Sequence, residues 1–259
     1  MKRFLAVCVV LSMVSAASAT VVLNETFNYA DQAALDAAWS NGGTNTVYVL
    51  DGFGNAGPSY KMPSPAATLS GRLAKNLGGE YNGTDAEPLV FSFDIYLDAA
   101  GAAALWNGAR HFVELRGYAG SGYGSGSANS ILALGLNNTT NQAGETFSNK
   151  WFNARVWLSP DGDWSCLNTD PATPQRSAAW HELKAVIKST TVDFYVDGVL
   201  AETRNRPATS YSFDSVVLGS GLTANGQTVW VDNIKVETVP EPATIALLSL
   251  VAVALRRRR

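Results

Sequence analysis

The stretch Trp180–Leu200, W-H-E-L-K-A-V-I-K-S-T-T-V-D-F-Y-V-D-G-V-L, decides the fold. Leu183, Ala185 and Ile187 alternate with polar positions, so Trp180–Lys188 reads as a strand with one face in a core. A short turn near Ser189–Thr191 leads into a second strand, Val192–Val196. Asp197-Gly198 then fits a two-residue hairpin turn, whose central positions need φ > 0. Val199–Thr203 returns as a third strand. Three strands joined by short turns make an antiparallel sheet and point to an all-β chain.

The same pattern extends in both directions. Downstream, Ser215–Leu218 and Thr228–Glu237 read as strands. Within the latter, Val229 and Val231 have one parity and Ile234 and Val236 the other; a bulge at Asp232-Asn233 would turn all four to the core. Upstream, Leu89–Leu97 (LVFSFDIYL) puts Phe91, Phe93, Ile95 and Leu97 inward, and Ser92, Asp94 and Tyr96 outward. Arg110–Tyr118 places His111, Val113 and Leu115 on one face and Arg110, Phe112, Glu114 and Arg116 on the other. Ile131–Leu136 is a continuous apolar run. Trp151–Leu158 puts Phe152, Ala154, Val156 and Leu158 inward, and Asn153, Arg155 and Trp157 outward. Val21–Phe27 reads as the first strand, and Asp31–Trp39 as a short helix with Ala34, Leu35, Ala38 and Trp39 on one face. Asn41–Ala67 reads as loop with a strand at Thr46–Leu50. Ten to twelve strands with non-local pairing predict a two-sheet antiparallel β-sandwich with one short helix, the first and last strands side by side.

Both ends carry signals of a different kind. Lys2 and Arg3, the apolar run Phe4–Val14 and Ala17-Ser18-Ala19 have the layout of a signal helix cut after Ala19. Cys8 lies within that run, without the surroundings of a lipidation site. At the other end, Pro240-Glu241-Pro242 precedes thirteen uncharged residues, Ala243–Leu255, and then Arg256, Arg257, Arg258 and Arg259. As one hydrophobic helix, Ala243–Leu255 would be about 20 Å long, short of a hydrocarbon core of roughly 30 Å. Snorkelling arginines would extend its reach and stay cytoplasmic. This tail resembles the PEP-CTERM sorting signal of bacteria that make extracellular polysaccharide. The resemblance implies recognition and cutting by an exosortase near Pro240-Glu241-Pro242, after Sec export and transient anchoring in the inner membrane. The organisation is then residues 1–19 signal peptide, 20–238 sandwich and 239–259 sorting signal, with delivery to the cell surface or the extracellular matrix.

Charge narrows the partners. Taking Lys2, Arg3, the four terminal arginines and Glu241 from the chain's 19 basic and 22 acidic residues leaves 13 against 21, a net charge of −8. That excludes nucleic acid as a partner. Cys166 is the one cysteine outside the signal peptide, so no internal disulfide can staple the sandwich.

A second resemblance rests on Trp180–Leu200, Asp214–Gly221 (DSVVLGSG) and Val231–Val236 (VDNIKV). Together they look like the closing half of concanavalin-A-like or laminin-G-like jelly rolls. This fold hosts glycoside hydrolases, lyases and non-catalytic lectins alike. The laminarinase-like signature Glu-x-Asp-x-x-Glu is absent from the sequence. Phe112–Arg116 is similar to the Arg-x-Glu-Leu-Arg strand of alginate-lyase-type jelly rolls, with Phe112 in place of the first arginine. That family's Gln-x-His strand and its Tyr- and Lys-bearing terminal motif are missing. No nucleophile triad is legible either, and no catalytic residue is assigned.

The sequence therefore predicts a non-catalytic surface or matrix protein, with polysaccharide as the candidate ligand and side chains that merely cover the sheet's second face as the competing reading; the alternative from another class is a polysaccharide lyase or hydrolase of the same fold. The outward aromatics Tyr96, Phe112 and Trp157 would stack on sugar rings. Asp94, Glu114, Asn153 and Arg155 would bond hydroxyls, provided their strands share a sheet. Asp161-Gly162-Asp163 reads as a turn. No cofactor is expected apart from a structural Ca2+ shared by Glu25 and Asp232 on the paired first and last strands.

Overall fold

The structure, a computed structural model, describes residues 18–41, 49–62, 72–98, 111–137, 151–157, 164–167, 169–170, 172, 174–206, 212–219 and 228–240. In chain order its elements begin with β1 (Thr20–Glu25), α1 (Gln32–Ala38), β2 (Ser40–Asn41), β3 (Val49–Asp51), β4 (Ser59–Met62), β5 (Leu73–Tyr81) and β6 (Leu89–Leu97). There follow β7 (His111–Gly117), β8 (Ser130–Leu136), β9 (Asn153–Trp157), β10 (Trp164–Cys166) and β11 (Trp180–Ile187). The last four are β12 (Thr191–Val196), β13 (Val199–Asn205), β14 (Phe213–Leu218) and β15 (Val229–Thr238).

They form two antiparallel sheets. Sheet A runs β13-β12-β11-β6-β15-β4-β3, with β1 also paired to β15. Sheet B runs β10-β9-β8-β7-β14-β5-β2. The first and last strands pair as expected, from Thr20 opposite Thr238 to Glu25 opposite Ile234. The expected bulge is present: the register between β15 and β6 slips between Asp232 and Lys235, and Asn233 has φ 50°. Val229, Val231, Ile234 and Val236 all reach the core. Asp197 and Gly198 have φ 49° and 77°, the two left-handed positions that the hairpin between β12 and β13 demands.

One hydrophobic core fills the space between the sheets. Phe91, Phe93, Ile95 and Leu97 of β6 meet Val113 and Leu115 of β7 and Leu132, Leu134 and Leu136 of β8 within it. Asp31 caps α1 by accepting from the Ala34 amide at 2.9 Å, and Leu35 is that helix's fully buried residue. Trp39 closes one end of the core, stacked on Phe27 at 5.9 Å.

Two findings differ from the sequence reading. β4 falls where a loop is expected, and β5 and β10 have no counterpart among the predicted strands. In β5 the reason is chemical: Lys75 occupies an inward position, opposite Val216 of β14, where a hydrophobic residue would have shown the pattern. Its ammonium meets Glu25 of β1 at 2.9 Å, so an ion pair substitutes for an apolar contact between the two sheets. β10 has three residues, too few to show a period.

The predicted signal peptide lies outside the described residues up to residue 17, and Ala17 with it. Ala19 lies directly before β1. Among the described residues no helix is long and apolar enough to cross a membrane. Glu241, Pro242, the run 243–255 and Arg256–Arg259 lie outside the described residues, as do Asp161 and Asp163.

Candidate functional site

All seven residues of β7 are buried. Val113 and Leu115 face the core. Phe112, Glu114 and Arg116 face outward from sheet B yet are covered. Over Phe112 sits Trp164 of β10, with ring centroids 4.9 Å apart. Phe112 is only 4% exposed and presents no free ring to a sugar. Over Arg116 runs the Gly/Ser-rich segment between β7 and β8, which bounds a cleft.

That cleft has a volume of about 580 Å³ and is lined by Arg72, Arg116, Tyr118, Tyr123, Ile131 and Ser40, together with Gly124, Gly126, Ser127 and Ala128. Asp214, at the start of β14, shapes it. One carboxylate oxygen accepts the amides of Tyr118 and Gly120 at 3.0 Å and of Gly122 at 3.4 Å. Asn76 of β5 accepts the Tyr123 amide at 2.9 Å. Gly120, Gly122, Gly124 and Gly126 all take positive φ, the backbone geometry that lets successive amides converge on one acceptor. Tyr118 and Tyr123 meet edge to face at 5.8 Å.

Beneath the cleft lies a buried ion pair. Arg116 donates from Nε to Glu114 Oε2 at 2.7 Å, and its Nη2 lies 2.6 Å from the same oxygen. Nη1 donates to the Tyr118 hydroxyl at 3.4 Å. Burial pushes the Glu114 carboxyl above its ordinary value, against the pull of Arg116, Arg72 and Arg155. Burial alone would lower Arg116, but Glu114 and Tyr118 outweigh it and hold the guanidinium firmly charged. Three guanidinium groups thus act on one carboxyl group, and two of them, Arg72 and Arg116, line the cleft.

The other proposed sugar contacts divide between two places. Glu114, Arg155, Asn153 and Phe112 belong to sheet B, whereas Asp94 and Tyr96 lie on the outer face of sheet A. The single face that would have united Tyr96, Phe112 and Trp157 does not form, because β6 and β7, though consecutive in the chain, enter different sheets. Trp157 ends β9 opposite Ile131; its side chain lies outside the described residues. Asn153 is fully buried. Its Oδ1 accepts the Asn137 amide at 3.1 Å and its Nδ2 donates to the Ser165 carbonyl at 3.3 Å, which makes it scaffold.

On sheet A, Tyr96 stands in a cross-strand row with Trp180 and Trp230. Phe53, from the segment between β3 and β4, lies across all three at 4.8–5.8 Å. Asp94 accepts from the side-chain amides of Asn55 and Asn233 at 2.7 and 2.8 Å. Asp232, directly opposite Asp94, accepts the Asn55 amide at 2.9 Å. Burial pushes its carboxyl upward, and the amides of Asn233, Asn55 and Ala56 oppose that.

Glu25 and Asp232 do not come together. Glu25 is opposite Ile234 on the core side and is held by Lys75, Tyr29 and the Phe27 amide. Asp232 is opposite Asp94 on the outer side. The paired strands put the two carboxylates on opposite faces of sheet A. Among the described residues no group of three or more His, Cys, Asp or Glu is placed to hold a metal ion.

The two sheets and their order define a jelly-roll β-sandwich of the kind seen in carbohydrate-active proteins. Three solved structures illustrate the likeness. A glycoside hydrolase family 16 endo-glucanase from Bacteroides ovatus matches with TM-score 0.57 and 11% identity over 83% of this chain and 99% of that one. A carbohydrate esterase from the Shiga toxin-encoding bacteriophage phi24B gives 0.56 and 16%, over 85% and 99%. An endo-β-galactosidase from Clostridium perfringens gives 0.54 and 11%, over 85% and 63%. These likenesses establish the fold. Comparison with curated protein sequences finds no significant match. Residues 238–259 match the family model described as the PEP-CTERM protein-sorting motif. The tail thus marks an exported protein sorted by an exosortase, and it begins where β15 ends.

Proposed function

We propose that this chain is a surface or extracellular-matrix protein whose sandwich binds an acidic polysaccharide, without cleaving it, in the cleft on the outer face of sheet B. The observation that carries the reading is the cleft's lining: Arg72 with the two tyrosines Tyr118 and Tyr123, beside an Arg116 whose Nε and Nη2 are held by Glu114. Guanidinium groups bond carboxylates or sulfates through planar N–H pairs, and phenol rings offer stacking faces with a polar tip. Glycosidic hydrolysis needs two carboxylates flanking the bond. None is among the described lining residues, and Glu114 is committed to Arg116 below the floor. Exosortase processing near Pro240-Glu241-Pro242, after transient anchoring in the inner membrane, would release the sandwich to where such polymers accumulate.

A lyase is the second reading. The Tyr118 hydroxyl, hydrogen-bonded to Arg116 in the cleft wall, is placed to pass a proton to or from a sugar ring. A glycan array of neutral and uronate-bearing polymers tests binding, and absorbance of unsaturated uronate products tests cleavage. Binding to uronate polymers without product formation is the expected result. Product formation that is lost in Tyr118→Phe would establish the lyase instead.

A further inference from the structure

The end of the sandwich where β11 begins holds a constellation that the cleft does not use. His181 Nδ1 lies 2.8 Å from Asp197 Oδ2, and His181 Nε2 lies 2.9 Å from Ser177 Oγ. We propose that Ser177, His181 and Asp197 form an acyl-transfer site acting on small ester-linked acyl groups, of which O-acetyl groups on a polysaccharide are the natural class.

Each member is positioned by separate structure. Asp197 occupies the left-handed first position of the β12–β13 turn. Its other oxygen accepts the Glu182 amide at 2.8 Å, so the carboxylate cannot swing away. As an acceptor beside Nδ1, it fixes the imidazole with Nδ1–H toward Asp197 and a lone pair on Nε2. His181 is 5% exposed, and the Phe152 ring meets it edge to face at 5.3 Å. Ser177 is exposed. A tight turn, with the Ala179 amide donating to the Ser177 carbonyl at 2.9 Å, folds it back onto the imidazole. Its own amide donates to Nε2 at 3.2 Å, so the Ser177 amide and hydroxyl share that nitrogen's lone pair.

The order hydroxyl, imidazole, carboxylate is the arrangement that activates a serine, recognised by geometry rather than by position in the chain. Ser177 Oγ would attack the ester carbonyl carbon while its proton passes to His181 Nε2. The imidazolium, stabilised by Asp197, would return that proton to the departing sugar oxygen. Water, deprotonated by the same nitrogen, would then attack the acyl-serine carbonyl, and the imidazolium would return that proton to the departing Ser177 Oγ as the free acid is released. Arg176, the residue before Ser177, is buried, donates from Nη2 to Asn153 Oδ1 at 3.4 Å and lies over the Phe152 ring that contacts His181.

The proposal stands apart from the cleft, so the two can fail separately. The full-length protein is treated with a fluorophosphonate probe and the adduct is mapped by peptide mass spectrometry, alongside p-nitrophenyl acetate hydrolysis. The expected result is an adduct on Ser177, absent from Ser177→Ala, with labelling slowed roughly 100-fold or more in Asp197→Asn. Ser177→Ala should abolish ester hydrolysis and leave glycan binding unchanged. A wild-type protein unlabelled at Ser177, or ester hydrolysis that persists in Ser177→Ala, would overturn the proposal. Those results would make the constellation a clamp on the hairpin.

Discussion

The outer faces of the two sheets begin from the same sequence signal and end differently. β6 and β7 both alternate, and both put an aromatic residue and a carboxylate outward. On sheet A the outward row is closed by the chain itself: Phe53 lies across Tyr96, Trp180 and Trp230, and Asn55 satisfies Asp94 and Asp232. On sheet B, one end of the outward row is sealed by Trp164 over Phe112, and the other opens into a cleft lined by Arg72, Arg116 and two tyrosines. Parity tells which side chains leave the core. What covers them is set by segments outside the strands, here 52–58 for sheet A, and Trp164 with the segment between β7 and β8 for sheet B.

The contrast can be broken by substitution. The largest effect is expected at Glu114. Glu114→Ala would leave Arg116 buried without its counter-ion and cost about 3–5 kcal/mol, read from urea unfolding. A loss below about 1 kcal/mol would mean that the pair is solvated and the floor of the cleft is not as described. Next comes Asp214→Ala, which removes the acceptor of three amides. A loss of about 2 kcal/mol is expected, together with faster hydrogen exchange at Tyr118, Gly120 and Gly122; unchanged exchange there would show that the segment holds its shape without Asp214.

On sheet A, Phe53→Ala should cost about 1 kcal/mol and leave glycan binding untouched. Lost binding would move the site to the aromatic row and reverse the comparison. The smallest effect concerns the ion pair between the sheets. Burial opposes ionisation of Glu25, but hydrogen bonds from Lys75, Tyr29 and the Phe27 amide outweigh it and hold the carboxyl below its ordinary 4.5. A depressed folded-state value means stability that is complete above pH 4.5 and lost as pH falls below it. Glu25→Gln should therefore be less stable than the wild type at pH 7, by under about 1 kcal/mol given the partly exposed lysine. The gap should narrow as pH falls below 4.5; a gap that stays constant through that fall would show that packing, not charge, is what the substitution removes.

Much of the frame was legible in the sequence. Leu89–Leu97 was bounded correctly because a strict period of two over nine residues admits one reading. The bulge at Asp232-Asn233 was legible because two pairs of apolar residues of opposite parity must both be buried. β5 was hidden by Lys75, a charge at an inward position whose partner is fifty residues upstream. The site was less legible. Tyr96 and Phe112 share outward parity, but nothing local says that their strands belong to different sheets. Arg72, Tyr118, Tyr123 and Asp214 converge through a glycine-rich segment without periodicity. Ser177 and His181 are four residues apart at a strand entry, and their relation to Asp197 exists only once β11 pairs with β12.

The central claim is that the cleft of sheet B, and not the aromatic row of sheet A, receives an acidic polysaccharide. Affinity electrophoresis of the wild type and Arg72→Ala, in gels containing either a polyuronate or a neutral glucan, tests it most directly. The account predicts retardation of the wild type by the polyuronate alone, with retardation weakened at least tenfold in Arg72→Ala. Equal retardation of both proteins, or retardation by the neutral glucan, would contradict it.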